Sequence, residues 1–311
     1  SSNISKIGDV DGNGINDYIR DNGTNVDIIL TYGTGSNSLW TQAGSSISGI
    51  GDINNDGYYD VIIGDPTTAG NTGTAYLVNG TNNTITATTL AGGAAGNLTA
   101  KAVSGIGDFD GDGKSDYAIG APGTTTGNGE VYLELSNLGS QIIIGSGGIG
   151  EYLDGVGDIN GDGFSDIFIG TASGTEAYII YGGPGIPTNT AGADIVINAG
   201  QQIVSAGSAG DFNGDGFDDF AVSLDNGSDI NTYVVYGNTG LTGTLTLADL
   251  ENPDNALKLK DAGISGFNYE ITSLGDVNGD GFDDINIGRV GGVHYTVYGS
   301  LGGNAPYVME G

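Results

Sequence analysis

A short acidic pattern recurs six times along this chain of 311 residues. It reads Gly-Asp-x-[Asp/Asn]-x-[Asp/Asn]-Gly-x-x-Asp, so side-chain oxygens stand at positions 1, 3, 5 and 9, counted from the first Asp. Calcium binds about six to eight oxygen ligands, drawn from carboxylates, amides and backbone carbonyls. The spacing therefore predicts a calcium loop in every repeat and about six calcium ions in all.

Each loop is expected to supply four side chains and, at position 7, a backbone carbonyl. Glycine at position 6 permits the sharp chain reversal that the loop requires. The side chain at position 7 varies between repeats, which fits a ligand that uses only its carbonyl. The predicted ligands are, loop by loop, Asp9, Asp11, Asn13, Ile15 and Asp17; Asp52, Asn54, Asp56, Tyr58 and Asp60; Asp108, Asp110, Asp112, Lys114 and Asp116; Asp158, Asn160, Asp162, Phe164 and Asp166; Asp211, Asn213, Asp215, Phe217 and Asp219; Asp276, Asn278, Asp280, Phe282 and Asp284.

Three other interpretations of the loops were weighed. An EF-hand needs Glu at position 12 and flanking helices, but position 12 here is Arg20, Ile63, Ile119, Ile169, Val222 or Ile287. Ordinary turns closed by their own Asp and Asn side chains explain one such loop well, and six much less well. Magnesium demands a tight octahedron and dehydrates reluctantly, so calcium is favoured.

The segments around the loops predict an all-β fold. A small alternating segment precedes each loop, a short apolar strand follows it, and a tyrosine-containing strand and a weaker fourth strand come next. Successive loops are 43, 56, 50, 53 and 65 residues apart. Four strands in about 50 residues are typical of a propeller blade. We therefore predict a six-bladed β-propeller with four antiparallel strands per blade and a calcium loop between the first and second strands.

The predicted propeller fills the chain as a single domain. Its blades are expected at residues 1–43, 44–96, 97–147, 148–202, 203–263 and 264–311. No amphipathic helix of ten residues or more is expected.

The loops and the strands after them resemble FG-GAP repeats, as found in the integrin α-subunit propeller and its bacterial and fungal relatives. The third repeat, DFDGDGKSD followed by YAIGAP, carries the resemblance most clearly, and DINGDGFSDIFIG follows it. The resemblance implies a calcium-binding propeller used for binding or adhesion. Two departures stand out: the integrin propeller has seven blades, and the first repeat ends in DYIRDN.

Composition excludes several kinds of partner. The formal charge is −31, from 38 acids against 7 scattered bases, so no basic patch exists for nucleic acid or an anionic membrane. Of the acids, 31 are Asp, which suits turns and metal ligation. The absence of cysteine excludes disulfides and thiolate sites. No apolar run is long enough to span a membrane.

No catalytic residue is predicted. The single His294 stands in a third strand without a matching nucleophile, and Trp40 is expected to pack between blades. Tyr76, Tyr132, Tyr178, Tyr233 and Tyr295 share one strand position, which favours packing over a binding surface. Glu130, Glu134 and Glu176 suggest no acid–base pair.

Two classes of function stay open. The favoured one is an extracellular binding or adhesion module for a carbohydrate or protein ligand, either a monomer or a domain of a larger chain. Its candidate lining is the connections at residues 65–73, 121–129 and 225–231. The alternative is a catalytic or accessory propeller of a secreted polysaccharide-active enzyme. Millimolar extracellular calcium would fill such loops, so a secreted or cell-surface protein, of bacterial origin, is expected.

Overall fold

The computed structural model describes residues 3–21, 26–29, 36–40, 46–67, 72–81, 86–90, 99–123, 127–260, 269–289, 294–301 and 308–310. The chain forms two compact units. One comprises Ser1–Leu153 with Thr188–Ala191, and the other comprises Asp154–Pro187 with Gly192–Gly311.

The first unit contains three sheets, each of four antiparallel strands. Sheet 1 contains β1 (Asn3–Gly8), β2 (Asp17–Asp21), β3 (Val26–Ile29) and β4 (Ser36–Trp40). Sheet 2 contains β5 (Ser46–Gly51), β6 (Asp60–Asp65), β7 (Thr74–Asn79) and β8 (Thr86–Leu90). Sheet 3 contains β9 (Val103–Gly107), β10 (Asp116–Ala121), β11 (Asn128–Leu135) and β12 (Gly139–Ser146). In all three, strands follow one another in chain order across the sheet.

The remaining strands form three further sheets. Sheet 4 contains β13 (Ile149–Gly157), β14 (Asp166–Thr171), β15 (Ala177–Ile180), β16 (Ile195–Ile197) and β20 (Gly243–Leu245). Sheet 5 contains β17 (Gln202–Gly210), β18 (Asp219–Asp225), β19 (Ile230–Val235) and β21 (Ala256–Lys260). Sheet 6 contains β22 (Tyr269–Gly275), β23 (Asp284–Arg289), β24 (His294–Val297) and β25 (Val308–Glu310).

The prediction of six blades, each of four antiparallel strands, is wrong. Five sheets have that form, whereas sheet 4 has five strands and ends in a parallel pair between β16 and β20. The fifth strand comes from the long connection between β19 and β21, which also contains the short helix α1 (Leu247–Leu250). The outer edge of β16 carries backbone groups that need partners, and β20 supplies them.

The second strands of the later repeats are largely apolar because both of their faces are buried, whereas β2 contains Arg20 and the exposed Tyr18. In β6 every residue is buried. Val61 and Ile63 pack with Ile7 of sheet 1, whereas Ile62 points the other way and packs with Val103 of sheet 3. The cores therefore lie between successive sheets, and the residues at position 12 of the loops belong to them, as predicted for five repeats.

The loop that joins the first and second strands begins at a glycine with positive φ. This glycine, immediately before position 1, has φ of 86° at Gly8 and 75° at Gly157. The glycine at position 6 has φ of 87° in the third loop and 93° in the fourth, which only glycine adopts freely. The glycine pattern therefore fixes where every loop turns.

Candidate metal loops

The loops are closed by hydrogen bonds from their own backbone to their own acids. In the fourth loop, Asp158 Oδ1 accepts from the Asp162 N–H at 3.0 Å and Oδ2 accepts from the Gly163 N–H at 2.9 Å. The Asn160 and Asp162 side chains accept from N–H groups two residues further on, at 2.8 and 3.0 Å. These turns bring the side chains at positions 1, 3 and 5 close together. Hydrogen bonds within the loop therefore define its conformation without a metal.

The Asp at position 9 is fully buried in all six loops, with 0% exposure. From the second loop to the sixth, its carboxylate joins the start of its loop to the chain after the third strand of the same sheet. Asp60 accepts from the Ile53 N–H at 3.0 Å and from the Gly80 N–H at 2.8 Å. Asp166 repeats the pattern. The six buried carboxylates are those of Asp17, Asp60, Asp116, Asp166, Asp219 and Asp284.

Burial raises the pKa of four of these carboxyl groups. Desolvation raises the pKa of Asp60 and Asp116 to about 6, that of Asp166 to about 7 and that of Asp219 to about 8. Repulsion from acids at positions 1 and 5, or from Asp110 at position 3 of the third loop, raises the pKa further, and hydrogen bonds from backbone N–H groups lower it. A bound cation would favour the ionised form of every one of these groups.

Two loops bring three carboxylates within ligand distance of each other, among the residues that the structure describes. Asp9, Asp11 and Asp17 form one such group, and Asp108, Asp110 and Asp112 form the other, with oxygen atoms within 4.8 Å of one another. Asp108 Oδ1 is buried and has no hydrogen-bond partner among the described residues. A buried, unpaired carboxylate oxygen is costly, and a hard cation such as calcium would satisfy it. The third loop therefore fits calcium.

Position 3 is Asn in the second loop and in the last three loops, and in the last three its amide contacts the acid at position 5. The amide nitrogen of Asn160 donates to Asp162 Oδ2 at 3.0 Å, and Asn213 and Asn278 make the same contact with Asp215 and Asp280. The amide oxygen accepts from the backbone of position 5. The amide at position 3 thus donates to one of three carboxylates in these loops, whereas the third loop has Asp110 at that position and holds four carboxylates.

The side chain at position 7 has a role that the sequence analysis missed. A methyl group added to Gly161, at position 4 of the fourth loop, would lie 2.4 Å from the Phe217 ring of the fifth loop. Tyr58 lies against Gly12 and Phe282 against Gly214 in the same way. The ring of one loop thus packs on the glycine of the loop before it. The sequence feature that indicates this contact is an aromatic residue at position 7 together with a glycine at position 4 of the preceding loop.

Truncation of this ring should destabilise the protein. We expect Phe217→Ala to lower the free energy of unfolding by about 2–3 kcal/mol, because a half-buried ring leaves a void against Gly161. Urea denaturation measures the change. Ile15→Ala is the matched control, since Ile15 holds the same position 7 with 41% exposure, and it should cost less than ~0.5 kcal/mol. Equal losses in both variants would contradict the packing role.

The repeated tyrosines pack as the sequence predicted. Tyr76, Tyr178 and Tyr233 are 8%, 6% and 1% exposed. Their hydroxyl groups also explain two of the isolated glutamates, since Tyr178 donates to Glu176 at 2.9 Å and Tyr132 donates to Glu130. The side chains of His294 and Trp40 lie outside the described residues.

The predicted ligand-lining connections are described in part. Residues 68–71 and 124–126 lie outside the described residues. Residues 225–231 form a turn in which Asp225 accepts from the Gly227 N–H at 2.7 Å and Asn226 accepts from the Asp229 N–H at 2.9 Å. Within the described part of the chain, no helix is long and apolar enough to cross a membrane.

Comparison with known proteins supports the fold. Two crystal structures of BBS1N in complex with ARL6DN, soaked with lead and with mercury, are 12% identical to this chain, with TM-scores of 0.55 and 0.59. The matches cover 99% of this chain and 88% and 81% of those chains. AofleA from Arthrobotrys oligospora is also 12% identical, with a TM-score of 0.52, over 100% of this chain and 89% of that chain.

Family models match two stretches of the sequence. Residues 102–133 match the FG-GAP repeat and residues 158–222 match the FG-GAP-like repeat. These stretches contain the third, fourth and fifth loops with their following strands. The chain therefore carries FG-GAP repeats on a β-propeller fold, as the loop motif predicted.

Proposed function

We propose that this protein is an extracellular binding module whose propeller is stabilised by calcium in its FG-GAP loops. The observation that carries the calcium part is the buried, unpaired Asp108 Oδ1 in a group of three carboxylates. Asp108, Asp110, Asp112 and Asp116 would hold the ion, with the Lys114 carbonyl as a fifth ligand. Bound calcium supplies positive charge that offsets the repulsion between these acids.

The binding part of the proposal is supported by the architecture. A rigid β scaffold with variable connections is a common support for recognition loops. A structural relative, BBS1N, was crystallised in complex with a protein, ARL6DN. The charge of −31 disfavours nucleic acid as the ligand, and the proposed ligand is a carbohydrate or a protein.

The expected location follows from the proposed metal. Loops of this kind, with three or four carboxylates and little enclosure, bind calcium in the range of extracellular concentrations. In the cytosol they would stay largely empty, and their acids would repel one another. Calcium stabilisation is therefore useful to a protein that works outside the cell.

Counting bound calcium tests the metal part. We expect equilibrium dialysis against calcium-45 at ~2 mM total calcium to give about six ions per chain, and Asp108→Asn to lose one. Asp254→Asn is the matched control, because Asp254 is an exposed acid outside the loops, and it should keep the full number. A chain that retains no calcium would contradict this part of the proposal.

Ligand screening tests the binding part. A glycan array probed in ~2 mM calcium and again in chelator should give binding that depends on calcium. If the array stays blank, a pull-down from extracellular protein with calcium and with chelator tests a protein ligand. Failure of both, with folded protein, would contradict a binding role.

A further inference from the structure

Position 8 of the loops forms a contact between neighbouring repeats. In the fifth loop, Asp218 Oδ2 accepts from the backbone N–H of Asp158, the first residue of the fourth loop, at 2.8 Å. In the sixth loop, Asp283 Oδ2 accepts from the Asp211 N–H at 3.1 Å. A carboxylate at position 8 therefore lies against the preceding loop and accepts a hydrogen bond from the N–H of the first residue of that loop.

The second loop departs from this arrangement because its position 8 is Tyr59. The backbone contact to the preceding loop remains, since the Tyr59 N–H donates to the Asp9 carbonyl at 3.0 Å. The ring lies against the Cα of Gly8, where an added methyl group would lie 2.3 Å from it. Even so, 47% of Tyr59 is exposed. A large aromatic surface thus stands where the fifth and sixth loops have a short acid.

A cavity of about 260 Å³ opens beside this ring. Ile7, which is buried, and Asn16, at position 8 of the first loop, border it. The lining residues are Ile7, Gly8, Asn16, Gly49, Gly51 and Tyr59. Although the chain carries a charge of −31, this described lining contains neither an acid nor a base.

We propose that this cavity binds one neutral sugar ring. An exposed aromatic ring offers an apolar face with a hydroxyl at its edge, which suits the C–H face of a pyranose. Asn16, a lining residue, carries an amide, which is a group that can donate to and accept from sugar hydroxyl groups. The volume corresponds to roughly nine water molecules at ~30 Å³ each, which is enough for a single sugar ring.

The charge pattern selects against ionic ligands. An anionic sugar would meet the repulsion of the surrounding acids, with no base in the lining to compensate it. A cationic ligand would be attracted more strongly to the acids of the loops than to this uncharged cavity. The inference rests on the proposed binding function and assigns it a ligand class and a place.

Saturation-transfer NMR with neutral methyl pyranosides tests the inference. Methyl glucoside, galactoside, mannoside and N-acetylglucosaminide serve as probes at millimolar concentration, with methyl glucuronide as the anionic comparison. We expect at least one neutral glycoside to bind in the millimolar range and the glucuronide to bind at least about tenfold more weakly.

Tyr59→Ser removes the ring and introduces the residue that the third and fourth loops carry at position 8, Ser115 and Ser165. It should weaken binding at least about tenfold, whereas Tyr59→Phe should retain most of it. Tyr152→Ser is the matched control, since Tyr152 is 38% exposed and lies outside the cavity lining. Thermal melting verifies that every variant is folded.

The outcomes separate this inference from the proposed function. If no neutral glycoside binds the wild-type protein, or if binding is unchanged in Tyr59→Ser, the inference is overturned. A glycan or protein ligand that binds independently of Tyr59 would leave the proposed binding function intact. Sugar binding that depends on Tyr59 in a protein without bound calcium would support the cavity and overturn only the calcium part.

Discussion

Removing calcium at pH 7.5 is expected to lower the melting temperature of this protein by about 10–20 °C. At ~1 mM calcium, a site with a dissociation constant of ~0.1 mM stabilises the folded state by roughly 1.4 kcal/mol. Six such sites contribute roughly 8 kcal/mol, which is comparable to the whole stability of many domains. Differential scanning calorimetry in calcium and in excess chelator measures the shift.

Magnesium provides the control for this prediction. It prefers a tight octahedron and keeps its own waters, so adding it at the calcium concentration should restore little of the lost stability. An unchanged melting temperature in chelator would contradict structural calcium. Equal rescue by magnesium would indicate general screening of the acids rather than specific sites.

Lowering the pH should restore part of the stability that the protein loses when calcium is removed. Burial raises the pKa of Asp60 and Asp116 to about 6, of Asp166 to about 7 and of Asp219 to about 8, from an ordinary value of 3.8. A raised pKa in the folded state means that the stability contribution is complete below pH ~4 and is lost as pH rises through the folded values. The calcium-free protein should therefore be more stable at pH 5 than at pH 8, and the stabilisation by calcium should shrink at pH 5.

The sequence predicted the loops well because the determinants of a loop are local. Glycine at position 6 and Asp or Asn at positions 1, 3 and 5 act within a few residues of one another, so their spacing alone indicates the turn. The same holds for the apolar second strand, whose buried residues, such as Ile63 and Ile119, could be read directly from the run of side chains.

The features that the sequence analysis missed depend on partners distant in the chain. The packing of Phe217 on Gly161 joins two repeats 56 residues apart. Strand β20 joins sheet 4 from an insertion within the next repeat, and the only sign of it was the 65-residue interval between the last two loops. Neither contact follows from local propensity, because each needs the register of two sheets to be known.

The Asp at position 9 has a role that the spacing of oxygen donors does not indicate. That spacing predicts only a calcium ligand. In the structure, the same carboxylate also joins backbone segments, and its partner after the third strand lies between 15 and 20 residues away in the described loops. The conserved geometry of this contact through the repeats gives the residue a structural role that does not depend on metal.

Asp116→Ala should separate these two roles, with a loss of about 3–5 kcal/mol in the free energy of unfolding. Asp116 Oδ2 accepts from the N–H groups of Phe109 at 3.0 Å and Asp110 at 3.3 Å, and Oδ1 accepts from the Ser136 N–H at 2.9 Å. Removing the carboxylate leaves the buried Phe109 N–H and two partly buried N–H groups unpaired, and each fully buried group costs about 1–3 kcal/mol. Urea denaturation of the variant and of the exposed-acid control Asp254→Ala gives the difference.

The comparison of calcium-loaded and calcium-free protein makes this test decisive for the role of Asp116. If the carboxylate stabilises the fold only as a calcium ligand, the loss should vanish when the wild-type protein and the variant are compared without calcium. If it joins the loop to the end of the third strand, most of the loss should remain, because the unpaired N–H groups do not depend on the metal. We expect the second result. The free energy of unfolding should fall less for Asp116→Asn, because its amide oxygen can still accept one of the hydrogen bonds, whereas its NH₂ group faces a backbone donor on the other side. In that case the Asp116 carboxylate stabilises the loop in the absence of calcium, in addition to its proposed role as a ligand.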